Sequence, residues 1–204
     1  MALNDQSTRI RDGEELDAAI IDSYLKAHIP GLSGEPQISQ FPGGASNLTY
    51  LLEYPQQEFV LRRPPFGHKA KSAHDMGREY RILNQLNAGF PYCPKAYVHC
   101  TDESVIGSEF YVMERVNGII LRADLPAELN FSPEQTTQLC KSFIDKLVEL
   151  HNVDYQACGL GDLGKPEGYV ARQISGWSDR YEKALTPDAP LWTEVKAWLH
   201  EKLP

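Results

Sequence analysis

The stretch FVLRRPPFG, residues 59–67, decides how the first half of the chain is read. Phe59, Val60 and Leu61 form an apolar β run, and Arg62 and Arg63 follow without a break. Pro64 and Pro65 end the strand, because proline has no N–H to give to a sheet ladder. Period-two alternation sends the two arginines to opposite faces. One of them can be held inside a site while the other, Arg63, is expected in solvent.

Upstream, LTYLLEY and EFVLRR read as two strands joined by the tight turn PQQ, a hairpin. QISQF is a shorter strand before them, and FPGGASN is the glycine-containing loop between. Residues 14–28 place Leu16, Ile20, Ile21, Tyr24, Leu25 and His28 at helical spacing, stopped by Pro30 and Gly31. Downstream, Ser72 and Asp75 make a capping-box start. Met76, Tyr80, Leu83 and Leu86 then give the stripe of a helix that Asn87-Ala88-Gly89 closes. PKAYVHC and EFYVMERV are the fourth and fifth strands. After Asn117-Gly118 the pattern turns helical. Ser132-Pro133-Glu134-Gln135 is a hydroxyl cap, a proline at the first helical position and a box-closing glutamine. GYVARQISGWSDRYEKAL and LWTEVKAWLHEKL are two further helices.

Composition narrows the function classes. With 204 residues, 42% hydrophobic and 24% charged, the chain can bury a proper core. The net charge of −8 leaves no basic surplus for nucleic acid. No apolar run approaches the ~20 residues that span a bilayer, and the polar, acidic start is not a secretory signal, so a cytoplasmic location is expected. The four cysteines show no zinc spacing and are expected to be reduced and mostly buried; no metal site is expected from them or from the six histidines.

Five antiparallel strands with a helix after the third, then a hinge into helices, predict an α+β, protein-kinase-like fold. That layout needs glycines in the first loop for phosphates, a cation ending the third strand and a carboxylate on the inserted helix. It also needs a hinge after the fifth strand for adenine. Gly43, Gly44, Ser46 and Asn47 occupy the loop, Arg62 the strand end, Glu79 the helix, and Met113, Glu114 and Val116 the approach to the hinge. Each has a plainer reading alone: a hairpin turn, a solvated strand end, a surface charge paired with Arg78 or Lys71, a core methionine. Their order and spacing together favour the site. The expected organisation is an N-terminal helical extension over 1–35, a nucleotide-binding lobe over 36–116 and a partial helical lobe over 117–204.

The runs GGASNLTYLLEY, FVLRRPP, SAHDMGREYRILNQL, TDESVIGSEFYVMERVNG, LVELHNVD and GLGDLGKPEGYVARQISGW resemble the aminoglycoside phosphotransferase-like kinases. The nearest branch is the one also found fused to acyl-CoA dehydrogenases. The resemblance covers about residues 36–204. It implies ATP, or another nucleoside triphosphate, with Mg2+, and transfer of the γ-phosphate to a hydroxyl of a small molecule. It also implies that Arg62 replaces the usual phosphate-binding lysine with Glu79 as its partner, that Ser46 and Asn47 lie near the phosphates, and that residues 113–117 flank the adenine. Arginine keeps the charge but offers a broader, bidentate fork.

One element of the family pattern is missing. Its HGD-type catalytic loop would follow AWLHEKLP, and neither His151-Asn152-Val153-Asp154 nor Gly161-Asp162-Leu163 substitutes for it. His151 is expected to be a packed or capping residue. The chain is therefore expected to be a truncated form without turnover of its own. The alternatives are a pseudokinase-like nucleotide- or partner-binding module, and a domain without a ligand. A partial helical lobe is expected to expose Trp192, Trp198 and Leu199 and to favour self-association or a partner. The acceptor is not legible: an aminoglycoside, a hydroxylated acid and another small metabolite all fit.

Overall fold

The computed structural model describes residues 5–42, 47–67, 74–121 and 124–203. It has the element order α1 (Ala18–His28), β1 (Gln37–Gln40), β2 (Leu48–Glu53), β3 (Glu58–Arg63), α2 (Met76–Leu86), β4 (Ala96–Cys100), β5 (Phe110–Glu114), a 3-10 turn at Ala127–Leu129, α3 (Pro133–His151), α4 (Tyr169–Lys183) and α5 (Thr193–Glu201). The five strands form one antiparallel sheet in the order β1-β2-β3-β5-β4. The mixed α+β architecture is the one expected. By its contacts the chain divides into two units, Met1–Leu160 and Gly161–Pro204.

Alternation along the strands makes the sheet two-faced. Leu48, Tyr50, Leu52, Phe59, Leu61, Val98, Phe110 and Val112 point to one face and pack with Ile21 and Leu25 of α1. Burying that many large apolar side chains is the main source of the sheet's stability. The intervening positions Leu51 and Val60 point to the other face, where they form a small cluster with Phe41 and Met113. On this second face α2 packs across β4 and β5. A one-residue irregularity between Ala96 and Val98 turns Tyr97 edge-on to Phe59, with ring centres 5.2 Å apart.

Capping follows local chemistry. Ser132 and Gln135 form the reciprocal box that starts α3, with Pro133 inside it. The cap of α2 is Asp75, whose carboxylate accepts from Arg78 N at 2.8 Å; Ser72 lies outside the described residues. The first helix is shorter than its 14–28 periodicity suggests. Asp17 caps it, and Glu14 is drawn away to Gln40.

Two expectations are overturned. Arg63 is 2% exposed, not solvated. Its Nη1 donates to Ile106 O at 3.0 Å, and its guanidinium lies 3.9 Å from the Phe66 ring centre. Alternation gave the correct face, but α1 and the segments carrying Glu14 and Ile106 cover that face. His151 is exposed in the last turn of α3, neither packed nor a cap. A third expectation, mostly buried cysteines, also fails: the thiols are free, but only Cys100 is buried, with Cys93 and Cys158 half-buried and Cys140 exposed.

In the second unit α4 and α5 flank an apolar cleft of about 890 Å3 that includes Trp177, Trp192, Val195 and Leu199. Trp192 and Trp198 are exposed as expected, and Leu199 is half-buried. No helix among the described residues is long and apolar enough to cross a membrane.

Candidate functional site

Three central strands set the site. Their register aligns Thr49 of β2, Arg62 of β3 and Tyr111 of β5 side by side. Arg62 and Tyr111 share the face on which α2 lies, and the Asp75 cap fixes the turn of α2 that carries Glu79. Glu79 Oε2 lies 3.6 Å from Arg62 Nε, each side chain one-third exposed. At that exposure the pair adds no more than about 1 kcal/mol to stability. A distance of 3.6 Å is an ion pair but not a hydrogen bond.

Two uncharged donors hold the carboxylate instead. Tyr111 Oη donates to Glu79 Oε2 at 2.9 Å, and Asn47 Nδ2 donates to Oε1 at 3.0 Å. Burial pushes the Tyr111 hydroxyl well above its ordinary range, with the Arg62 charge opposing and the Glu79 charge reinforcing, so the phenol stays a donor. Asn47 Oδ1 lies 2.8 Å from His74 Nδ1. Arg62 Nε is itself buried and makes no hydrogen bond among the described residues. An unsatisfied buried polar group calls for an explanation, and here the same side chain, one-third exposed, also lines a cavity.

Beside the pair is a cavity of about 340 Å3, with Arg62, Glu79 and Tyr111 at its polar end and Ile82, Leu83, Pro94 and Met113 as apolar walls. Its size is at the lower end for a small-molecule site. Val60, two residues before Arg62, shares its face and joins Phe41 and Leu51 in the apolar patch. The Arg115 guanidinium lies 4.8 Å from the Phe41 ring centre.

The structure thus brings Asn47, Arg62, Glu79 and Met113 together. Gly43, Gly44 and Ser46 lie outside the described residues. Glu114 stands apart, exposed, with Oε2 accepting from Lys95 N at 3.1 Å. Val116 is 58% exposed beyond the end of β5, where the peptide groups are no longer committed to the ladder. Sequence reasoning missed Tyr111, His74 and Val60. Alternation could have found two of them, since Tyr111 precedes Met113 by two residues and Val60 precedes Arg62 by two. Among the described residues no group of three His, Cys, Asp or Glu side chains could hold a metal ion.

The model of the phosphotransferase enzyme family matches residues 37–204. Acyl-CoA dehydrogenase family member 11 from Gallus gallus is 36% identical over an alignment of 210 positions that covers 100% of this chain and 26% of that protein. The Homo sapiens protein of the same name is 35% identical over 195 residues, 93% of this chain and 25% of its own. Mus musculus acyl-CoA dehydrogenase family member 10 is 34% identical over 192 residues, covering 91% and 18%. The chain therefore spans about a quarter or less of the length of these curated relatives. A solved structure from Ralstonia eutropha JMP134, carrying the provisional name aminoglycoside phosphotransferase, aligns with a TM-score of 0.78 at 34% identity. That alignment covers 93% of this chain and 54% of the other. With a family model over residues 37–204 and a solved relative of the same overall fold at 34% identity, the chain belongs to the phosphotransferase enzyme family.

Proposed function

We propose that this chain provides the nucleotide-holding part of an ATP-dependent kinase that transfers the γ-phosphate to a hydroxyl of a small molecule. The observation that carries the reading is Arg62: its Nε makes no hydrogen bond among the described residues and is only ion-paired, at 3.6 Å, with a carboxylate already held by other donors. Such a guanidinium is charge-compensated without being tied up, which suits a group that must grip phosphate oxygens. The patch of Phe41, Leu51, Val60 and Met113 on the same face offers an apolar surface for the base. The peptide groups around Val116 offer hydrogen bonds to its edge. Gly43, Gly44 and Ser46 belong to the proposal as the loop over the phosphates. A bound triphosphate would supply the transferable phosphoryl group, and this chain's residues bind and orient it. Mg2+ is proposed to arrive with the triphosphate, and no step is assigned to it. The proposed organisation keeps a nucleotide lobe over 36–116, a helical extension before it and helices after it, in a cytoplasmic protein.

The acceptor is proposed to be a small hydroxylated molecule; the names of the relatives make a hydroxylated acid as reasonable as an aminoglycoside. A second reading is a nucleotide-binding module without chemistry of its own, which would use the same Arg62–Glu79 site for binding alone. Both readings require nucleotide binding, so binding is the test. Titration calorimetry with ATP and magnesium should show a saturable isotherm, and Arg62→Ala should weaken it about tenfold or more, the scale of a lost hydrogen bond to a charged group. An isotherm unchanged by Arg62→Ala would remove the proposal. If ATP binds, coupled assays with hydroxylated acids and aminoglycosides separate the two readings: turnover sinks the second.

A further inference from the structure

We infer that Asn47 and His74 are positioning residues for Arg62: a directed hydrogen-bond relay from His74 through Asn47 holds Glu79 off the guanidinium, so that the arginine stays available to phosphate. The inference rests on the reading of Arg62 as the phosphate-binding cation.

The direction of the relay follows from what each group can do. A carboxylate accepts, so Asn47 must turn its Nδ2 to Glu79 Oε1, 3.0 Å away. Its Oδ1 is thereby turned to His74, and the ring must donate from Nδ1 across 2.8 Å. Tyr111 secures the other carboxylate oxygen at 2.9 Å. Asn47 is 6% exposed, and both ends of its amide are satisfied by these two contacts, as a buried amide requires. The carboxylate's two donors come from β5 and from the residue before β2, and Asn47 is itself held by the residue before the α2 cap, so the carboxylate cannot turn without breaking bonds to separate elements. Its oxygen then stops 3.6 Å from Arg62 Nε. Freed from Asn47, the carboxylate can rotate and close on the guanidinium as a two-pronged pair, the geometry arginine and carboxylate prefer. That pair would occupy the same N–H groups a phosphate needs.

The test is calorimetry with two probes, ATP with magnesium and adenosine, on the full chain and its variants. Asn47→Asp keeps the shape but has no N–H to give. It should weaken ATP about tenfold and leave adenosine unchanged, since only the phosphate grip is lost. His74→Ala, a change at a half-buried position that leaves the core intact, should weaken ATP roughly two- to threefold. Adding Glu79→Gln to Asn47→Asp should recover most of the lost affinity, because the new amide donates to the new carboxylate and no charge is left beside Arg62 to claim it. The relay is wrong if Asn47→Asp and His74→Ala both bind ATP within about twofold of the unaltered chain. It is equally wrong if ATP and adenosine weaken together, which is the signature of a purely structural asparagine. When Arg62→Ala weakens ATP but the relay variants do not, only the relay fails. When Arg62→Ala changes nothing, the phosphate clamp itself fails and takes the relay with it.

Discussion

Arg62 and Arg63 are consecutive in one strand, and their surroundings could hardly differ more. Arg62 is one-third exposed on the face that carries the cavity, beside a carboxylate it does not hydrogen-bond. Arg63 is 2% exposed on the face covered by α1, and its partners are two carbonyls, of Pro64 and Ile106, and an aromatic ring. Burial lowers the Arg63 pKa, while Tyr50 and Glu14 offset part of that effect. One arginine is committed to the fold, and the other is the one proposed to hold a ligand. Residue type does not distinguish the two. What does is whether the face is closed by the protein and whether the donors are already used.

The largest effect expected from this contrast is in the apolar residues preceding each arginine. Leu61, fully buried on the Arg63 face, should cost about 3–4 kcal/mol when changed to alanine, because its cluster spans α1 and four strands. Val60, in the small patch on the Arg62 face, should cost about 1–2 kcal/mol and should weaken adenosine as well as ATP. Denaturant titrations of the two variants read the stability terms directly. Equal losses would mean that the second face is as much core as the first. Next comes Arg63→Ala, expected to cost about 2–3 kcal/mol by stranding the Ile106 carbonyl and opening a cavity under Phe66. A melt should fall by roughly 4–12 °C for a chain of this size, while the ATP affinity of the folded fraction holds. Arg62→Ala should do the reverse, with a melt shifted by no more than about 4 °C. A stable Arg63→Ala chain would dissolve the distinction between the two faces.

Much of this was legible locally. The alternation of LTYLLEY and EFVLRR, the turn between them and the Ser132–Gln135 box depend on neighbours within a few residues, and all appear in the structure. The Arg62–Glu79 pair was legible from the order of the elements, a strand ending in a cation followed by a helix carrying a carboxylate, together with the family resemblance. Arg63 was not, since alternation names a face without saying what covers it. The start of α1 at Ala18 was missed for a related reason: apolar spacing runs back to Leu16, but Glu14 finds better partners in Gln40 and Arg11 than in a helix. Asn47 and His74 stand 27 residues apart, and no period in the sequence connects an amide in one segment with a ring in another.

The smallest effect concerns the anion on the Arg63 side. Glu14 Oε2 accepts from Gln40 Nε2 at 2.6 Å and from Arg11 Nε at 2.7 Å, and its backbone carbonyl accepts from Tyr50 Oη at 2.8 Å. The Gln40 hydrogen bond holds its carboxyl below the usual 4.5, with the Arg11 bond and the charges of Arg11 and Arg63 adding to it and burial opposing. A carboxyl depressed in the folded state takes up its proton later than in the unfolded chain. Its stabilisation is therefore complete above about pH 4.5 and drains away as pH falls through the lowered folded value. The side chain is one-quarter exposed, so the contribution is below about 1 kcal/mol. Glu14→Gln should melt slightly below the unaltered chain at pH 7, and the gap should narrow as the pH is lowered below 4.5. A gap that stays constant down to strongly acidic pH would show that Glu14 acts through shape alone. The charge closing the Arg63 side would then have to come from elsewhere, and the two arginines would differ in burial without differing in how their charge is balanced.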